Sequence, residues 1–341
     1  MDIAVLGLGL IGGSVLRALA GRGHGLRGYD VDPATRAAAA AAGGPAWRVT
    51  ATVADAVQGA ELTVLAVPLP ALDALLGEVV AAGYGGLVTD VTSVQEPVHR
   101  LVGRHLGVGP ARFVGGHPMA GRETSGFGAA DADLFRDRAW VLCLDPDRPA
   151  ALDDWLRLAD LVTDLGARVV PATAAEHDRA VAAVSHVPHL VAAALATAAA
   201  EPLAGALAAG SFRDGTRVAA SRPELVAAMC TGNAAAVAAA LDGLRAALDA
   251  ARTALDAPDP MAALRPWLAG GHAARSGWPA RPGPAGPLPA DVTELLGLGR
   301  AGGWVTGVAA DRRTVTAVRP APADPAPTAA RRGRGGAPGA P

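Results

Sequence analysis

The run Gly7-Leu8-Gly9-Leu10-Ile11-Gly12 limits this chain to very few folds. It directly follows the apolar stretch Asp2–Leu6 and opens a helical pattern over 14–20, so it forms a strand–turn–helix corner. Each glycine has its own task there. Gly7 permits the tight turn, Gly9 lets a ligand approach the backbone, and Gly12 lets helix and strand pack closely. The helix start, around Leu10 and Ile11, then offers unpaired N–H groups and a positive dipole end, which suit a pyrophosphate. A second strand pattern, 26–29, ends at Asp30, which lies 30 − 12 = 18 residues beyond Gly12. An acid at this place accepts hydrogen bonds from a ribose and repels a 2′-phosphate. The expected cofactor is therefore NAD in preference to NADP, with Arg36 nearby weighing the other way.

The pattern continues with apolar stretches at 61–67, 87–91, 113–115, 139–144 and 168–170, and Ala- and Leu-rich helical stretches lie between most of them. Strands alternating with helices predict an α/β Rossmann-type domain over 1–173, with a parallel sheet covered on both faces. From 174 to about 268 no strand pattern is evident. Stretches 174–200, 223–229 and 234–255 read as helices and predict an all-α domain over 174–269. Residues 270–289, rich in Gly, Pro and Ala, read as linker. A helix is expected at 291–296 and two short strands within 304–318. Residues 320–341 are low-complexity and read as disordered, so 270–341 as a whole is expected to be linker and tail.

Composition narrows the function classes. A length of 341 residues accommodates two domains, and a net charge of −2 leaves no basic excess for a nucleic-acid backbone. Cys143 and Cys230 have no metal or redox spacing, so no metal is expected, and few cysteines point to a reducing compartment. The N-terminus lacks a basic leader, and the stretch 190–200 is too short and Ala-rich for a bilayer span. The expected location is the cytoplasm, with no membrane or nucleic-acid partner.

In an open parallel sheet, ligands sit beyond the carboxyl ends of the strands. Three such ends stand out: Ala66-Val67-Pro68, Asp90-Val91-Thr92-Ser93, and Gly115-Gly116-His117-Pro118-Met119-Ala120-Gly121 with Glu123 close behind. Val67 and Pro68 would flank the cofactor. A loop histidine is more often structural than catalytic, but glycines on both sides let backbone and ligand come close to His117. Oxidising an alcohol needs a base for the hydroxyl proton, and histidine titrates in the right range. Ser93 can hydrogen-bond the same hydroxyl or the nicotinamide amide; its plainer role is the N-cap of the helix that follows.

In the helical part, Asp178, Ser185 and His189 fall at i, i+7 and i+11, within about 20° of one another on a straight helix. Pro188 removes a backbone hydrogen bond, frees the Val184 carbonyl and predicts a kink. On spacing alone, this stripe reads equally as a site or as a polar face. Gly210-Ser211-Phe212-Arg213-Asp214-Gly215-Thr216-Arg217 breaks the helices, and Arg217 can grip a carboxylate with two prongs or make an ordinary surface ion pair.

Together these motifs resemble the prephenate and arogenate dehydrogenase family. The matching pieces are the glycine turn, Asp-Val-Thr-Ser-Val at 90–94, Gly-Gly-His-Pro-Met-Ala-Gly-Arg-Glu at 115–123, His-Asp at 177–178, Ser-His-Val-Pro-His at 185–189 and the 210–217 block. They run in order over about residues 1–270, with Asn233 following at the expected place. The resemblance implies an NAD-dependent oxidative decarboxylation of prephenate, a cleft between two domains, and a homodimer through the helical domain. It implies His117 as the base and Ser93 as its catalytic partner. Arg217 would hold a substrate carboxylate and His189 would meet the side-chain end. Glu123, Asp178 and Ser185 would line the substrate site. Gln95 stands where that family often has Lys, Val226 stands where Trp is usual, and no whole regulatory ACT domain follows. Rivals are arogenate oxidation, which the presence of His189 disfavours, and β-hydroxy-acid dehydrogenases, which usually rely on a Lys that this chain lacks entirely. A non-catalytic NAD-binding protein is the rival from another class.

Overall fold

The computed structural model describes residues 1–107, 111–122, 124–147 and 151–322. The chain opens with β1 (Asp2–Leu6), α1 (Leu10–Leu19), β2 (Gly25–Tyr29), α2 (Pro33–Gly43), β3 (Arg48–Val49), α3 (Val53–Val57), β4 (Leu62–Leu65), α4 (Leu69–Ala81), β5 (Leu87–Asp90), α5 (Glu96–Leu106) and β6 (Arg112–Val114). These six strands pair in the order β3-β2-β1-β4-β5-β6, all parallel. Ile3 to Leu6 are buried throughout, as are the residues of β4 and β5, because helices cover both faces of the sheet. The winding reverses between β1 and its two neighbours, β2 and β4. The crevice at this switch point lies beyond the carboxyl ends of the strands, where the glycine turn sits.

The expected single sheet is in fact two. The strands read at 139–144 and 168–170 are β8 (Ala139–Cys143) and β9 (Arg168–Ala172), joined by α6 (Leu152–Asp164), and they belong to a second sheet that begins with β7 (Gly116–Pro118). The chain crosses between sheets at Gly115-Gly116. A Cβ on Gly115 would lie 2.2 Å from Gln95 Oε1, and one on Gly116 would lie 2.8 Å from the Asp90 carbonyl. Only glycine fits there, and the next residue is His117.

The second sheet also corrects the reading of 270–289 as linker. Residues up to Ser276 end a helix, and Pro282–Pro289 is strand β10. It is followed by α14 (Val292–Arg300), β11 (Trp304–Val308) and β12 (Thr314–Pro320), giving the order β10-β12-β11-β9-β8-β7. Prolines are tolerated in β10 because it is an edge strand, with a hydrogen-bonded neighbour on one side only. Its composition conceals the strand; Leu288, with Leu295, Leu296, Leu298, Val305, Val315 and Ala317, closes the same core as Ile3, Trp140 and Trp155. The return of the chain therefore completes the first domain. The low-complexity residues beyond 322 lie outside the described ones.

Between these parts, α7 (Ala174–Val181), a π-helical turn (Ala182–His186) and α8 (Val187–Ala196) form one helical run. The capping box Thr173/Glu176 starts it, with Arg300 of α14 bound to Glu176. Then come α9 (Pro202–Leu207), α10 (Gly210–Thr216), α11 (Pro223–Gly232), α12 (Ala234–Leu255) and α13 (Pro260–Ser276). The run 174–200 has the length and apolarity of a bilayer span. Its Asp178 and His186 are nevertheless buried against the rest of the protein.

Candidate active site

The glycine turn has the geometry its sequence implies. Gly7 has φ +97°, a conformation only glycine holds without strain. A Cβ on Gly12 would lie 1.9 Å from the Gly7 carbonyl oxygen. A Cβ on Gly9 would meet nothing within 4 Å, so Gly9 faces open space where a ligand can approach. Gly9 is the N-cap of α1 and supplies no capping side chain, which leaves the first-turn N–H groups available to a phosphate. Leu10 and Ile11 form that turn, and Val67 packs against the Gly7 side of it, with Pro68 capping α4 beside it. The chemistry of this cradle fits a dinucleotide. Asp30 lies at the end of β2 and accepts the N–H of Leu8 at 2.7 Å and that of Asp32 at 2.9 Å. It thus fixes the turn itself, a task the spacing did not reveal. Arg36 is held by the carbonyls of Asp30 and Val31, at 2.7 and 3.1 Å.

Across the β5–α5 loop the expectations divide. Ser93 is half-buried and is not the cap of α5, which begins only at Glu96. The cap comes from the other domain. Asp178 of α7 accepts the N–H of Gln95 at 2.7 Å on Oδ1 and that of Glu96 at 2.8 Å on Oδ2. Burial alone would raise this carboxyl; the hydrogen bonds from His177, Glu96 and Gln95 outweigh it and hold it below the usual carboxylate range.

His177, which the stripe argument passed over, stands between the two named residues. Its Nδ1 is 2.8 Å from Asp178 Oδ1, and its Nε2 is 2.8 Å from Nδ1 of His117. His117 belongs to the first domain and His177 to the second, so their contact marks the domain junction. Burial, then the neighbouring His177 and His186, push His117 down to about 3. Part of the His117 residue still reaches the surface, and its ring is neutral at pH 7, with a lone pair on one nitrogen.

The stripe of Asp178, Ser185 and His189 does not survive the fold. The π turn, which contains Ser185, lies between Asp178 and His189, with the Val187 N–H donating to the Ala182 carbonyl five residues back. The expected kink at Pro188 is replaced by this turn, and the wider winding shifts the face that follows. His186, not Ser185, is fully buried. The amide of Asn233 donates to the Asp178 carbonyl at 2.7 Å and lies 3.3 Å from Nδ1 of His186. His189 is half-buried, and its Nδ1, like Nε2 of His186, is enclosed with no partner among the described residues. Such nitrogens suit a polar ligand. Arg217 lies on the exposed turn Arg217–Ala220, which packs on α8, the helix of His189. Glu123 lies outside the described residues.

Gln95 proves central. Its Nε2 donates to Asp90 at 3.2 Å, to the Thr92 carbonyl at 3.1 Å and to the Gly116 carbonyl at 3.0 Å. Its Oε1 accepts from the buried thiol of Cys143. A neutral amide thus stands beside a buried acid, and burial pushes Asp90 up to about 6 despite the N–H groups of Gly116 and Thr92.

A pH dependence of stability follows. His117 and His186, lowered to about 3 and about 4, refuse protons that unfolded histidines take up below 6.5, so each favours the folded state increasingly as pH rises to 6.5. Asp90 has the opposite sign, because between 3.8 and about 6 the folded acid keeps a proton that the unfolded chain releases. Two groups against one give a net rise. The urea-unfolding free energy is expected to increase from roughly pH 4.5 to 6.5, with a slope of about one proton up to pH 6, and to level off once the unfolded histidines have lost their protons. A flat or falling profile would mean that these histidines are not buried as neutral rings.

Comparison with known proteins follows the same architecture. Residues 14–171 match the family model described as prephenate dehydrogenase, nucleotide-binding domain, and residues 173–269 match prephenate dehydrogenase, dimerization domain. A prephenate dehydrogenase of Bacillus subtilis (strain 168) is 35% identical over 234 residues, covering 65% of this chain and 62% of that protein. The match thus spans less than two thirds of this relative's length. Among solved structures, Synechocystis arogenate dehydrogenase superposes with a TM-score of 0.68 at 31% identity, covering 82% of this chain and 100% of the other. Prephenate dehydrogenase from A. aeolicus, solved with hydroxyphenyl propionate and NAD+, superposes with a TM-score of 0.71 at 26% identity, covering 81% and 97%.

Proposed function

Since this chain belongs to the prephenate dehydrogenase family, we propose that it oxidises and decarboxylates prephenate to 4-hydroxyphenylpyruvate with NAD, a cytoplasmic step toward tyrosine. The observation that carries this reading is the placing of His117. A neutral imidazole from the nucleotide domain meets the helical domain at 2.8 Å, at the junction where a two-domain dehydrogenase would bind its substrate.

His117 accepts the proton of the ring hydroxyl. Ser93, with a half-buried side chain on the neighbouring loop, orients that hydroxyl. Arg217 grips the side-chain carboxylate, and His189 meets the keto end with its enclosed Nδ1. Asp178 acts on the site through His177, and family resemblance assigns Ser185 and Glu123 to the substrate side. The glycine turn would hold a nicotinamide cofactor, which would supply the acceptor for the hydride of the hydroxyl-bearing carbon. Loss of the ring carboxylate as carbon dioxide leaves its electron pair in the ring, which becomes aromatic. That gain drives the reaction, so the protein's work is positioning and charge placement. Gly7, Gly9, Leu10, Ile11, Gly12, Val67 and Pro68 line the cofactor side. Asp30 there disfavours a 2′-phosphate, and Arg36 is already engaged by backbone carbonyls.

The helical domain leaves Leu203, Leu207, Leu255, Met261 and Leu268 more than half exposed, a face suited to a second copy of this chain. A homodimer fits the dimerization-domain match. Arogenate is the second substrate reading, favoured by the likeness to the Synechocystis enzyme. The test offers the purified protein prephenate and arogenate, each with NAD and with NADP, and follows absorbance of the reduced cofactor. Turnover of prephenate with NAD is expected. Arogenate turnover alone corrects the substrate, and no turnover in any pairing refutes the assignment.

A further inference from the structure

We infer that Asp178 and His177 are a positioning pair that decides which nitrogen of His117 takes the substrate proton, and that they do so only while the two domains are docked. The inference rests on the dehydrogenase reading of His117.

The deduction starts at the fixed end. Backbone N–H groups can only donate, so Asp178 is an acceptor toward both Gln95 and Glu96. Nδ1 of His177, 2.8 Å from the same carboxylate, therefore carries its hydrogen toward Asp178. A neutral His177 then has a bare Nε2. That atom lies 2.8 Å from Nδ1 of His117, so Nδ1 of His117 must donate. The lone pair of His117 is left on Nε2, which is where a base must carry it.

During oxidation the O–H bond breaks, its electrons form the new C=O bond, and the proton joins Nε2 of His117. The hydride leaves carbon with its own electron pair for the nicotinamide. His117 becomes an imidazolium, and its Nδ1–H bond to His177 becomes charge-assisted, with the Asp178 carboxylate one ring further on. The groups acting on His117 are His177, His186 and Asp178; only the last is anionic. The carboxylate is anchored by the first turn of α5, in the nucleotide domain, while His177 and Asp178 ride on α7. Undocking the domains would release Asp178 from its two N–H donors and part His117 from His177. The base is therefore set by domain contact. A carboxylate at a helix N-terminus is also simply a good cap. The two roles separate experimentally.

The experiment is ring-nitrogen NMR of the full-length protein labelled with 15N-histidine, with His117 identified by the signals lost in His117→Asn. At neutral pH His117 is expected protonated on Nδ1 and bare on Nε2. In Asp178→Asn a single oxygen is left for three N–H donors, so the hold on the His177 Nδ1–H weakens and the Nδ1–H form of His117 is no longer enforced. There kcat should fall by about 10²–10⁴-fold, while KM and NAD affinity stay within about threefold. His177→Gln, which can still accept from Nδ1 of His117, should retain at least roughly tenfold more kcat than His177→Leu. A wild-type His117 protonated on Nε2, an unchanged kcat in Asp178→Asn, or equal losses in the two His177 variants would each overturn the proposal. If the wild type turned over no substrate, the NMR result would still decide the positioning pair, and only the assigned reaction would fall.

Discussion

His117→Asn is expected to lower kcat by about 10²–10⁴-fold and leave NAD affinity within about threefold. The expected size is that of removing a general base while every binding contact stays. Asparagine places an amide near the position of Nδ1, so it can keep the link to His177 that now spans 2.8 Å. It supplies nothing at Nε2, where the proposed base would receive the proton. The glycine turn, Asp30 and α1 are untouched, so the dinucleotide site should remain whole. Stopped-flow absorbance for turnover and fluorescence titration for NAD separate the two quantities. A variant that retained wild-type kcat would exclude His117 as the base. One that lost NAD binding in parallel would place His117 in the cofactor site instead.

The second large effect comes from a pair of glycines that look equivalent in sequence. Gly9→Ala should fold normally and lose NAD affinity by about 10²-fold or more, because its new methyl group projects into space that no protein atom occupies within 4 Å. Gly12→Ala should lose both cofactor binding and stability. Its Cβ would lie 1.9 Å from the Gly7 carbonyl and 2.8 Å from the Ala66 side chain, so α1 must move away from β1. Overpacking of that kind costs about 1–3 kcal/mol, and backbone in the way leaves little room to relax. Thermal unfolding with and without NAD distinguishes them. Gly9→Ala should keep the wild-type midpoint without NAD but lose the upward shift that NAD gives; Gly12→Ala should already melt lower without it. Equal melting of the two apo proteins would contradict the close packing at Gly12.

Much of the site was legible because short-range rules govern it. The tasks of Gly7, Gly9 and Gly12 follow from spacing, since a tight turn between a strand and a helix has few solutions. His117 was found from its flanking glycines, and those glycines prove necessary where the chain crosses between sheets. Other features were hidden for identifiable reasons. The stripe through Asp178, Ser185 and His189 assumed uniform winding, and the π turn at Ala182–His186 breaks it. His177 sits next to Asp178 in sequence, yet its importance lies in reaching a ring 60 residues away. Gln95 looked like a minor departure from a family pattern, and it ties Asp90, Gly116 and Cys143 together.

By itself, the sequence determined the strand–turn–helix corner, the parallel sheet and the succession of an α/β part and a helical part. These depend on periodicity and on glycine's freedom, which act within a few residues. Tertiary structure alone decided that 282–289 is a strand rather than linker, and that it joins the helix and strands read at 291–296 and 304–318 to the first domain, because its prolines and glycines gain their order from hydrogen bonds to β12 and from a core built mostly by residues 3–169. It alone decided which nitrogen of His117 meets a partner, because that contact runs through His177 and Asp178 to two backbone N–H groups of the other domain. A hydrogen-bond chain of that kind exists only when distant segments meet at hydrogen-bonding distance, and no local pattern encodes it.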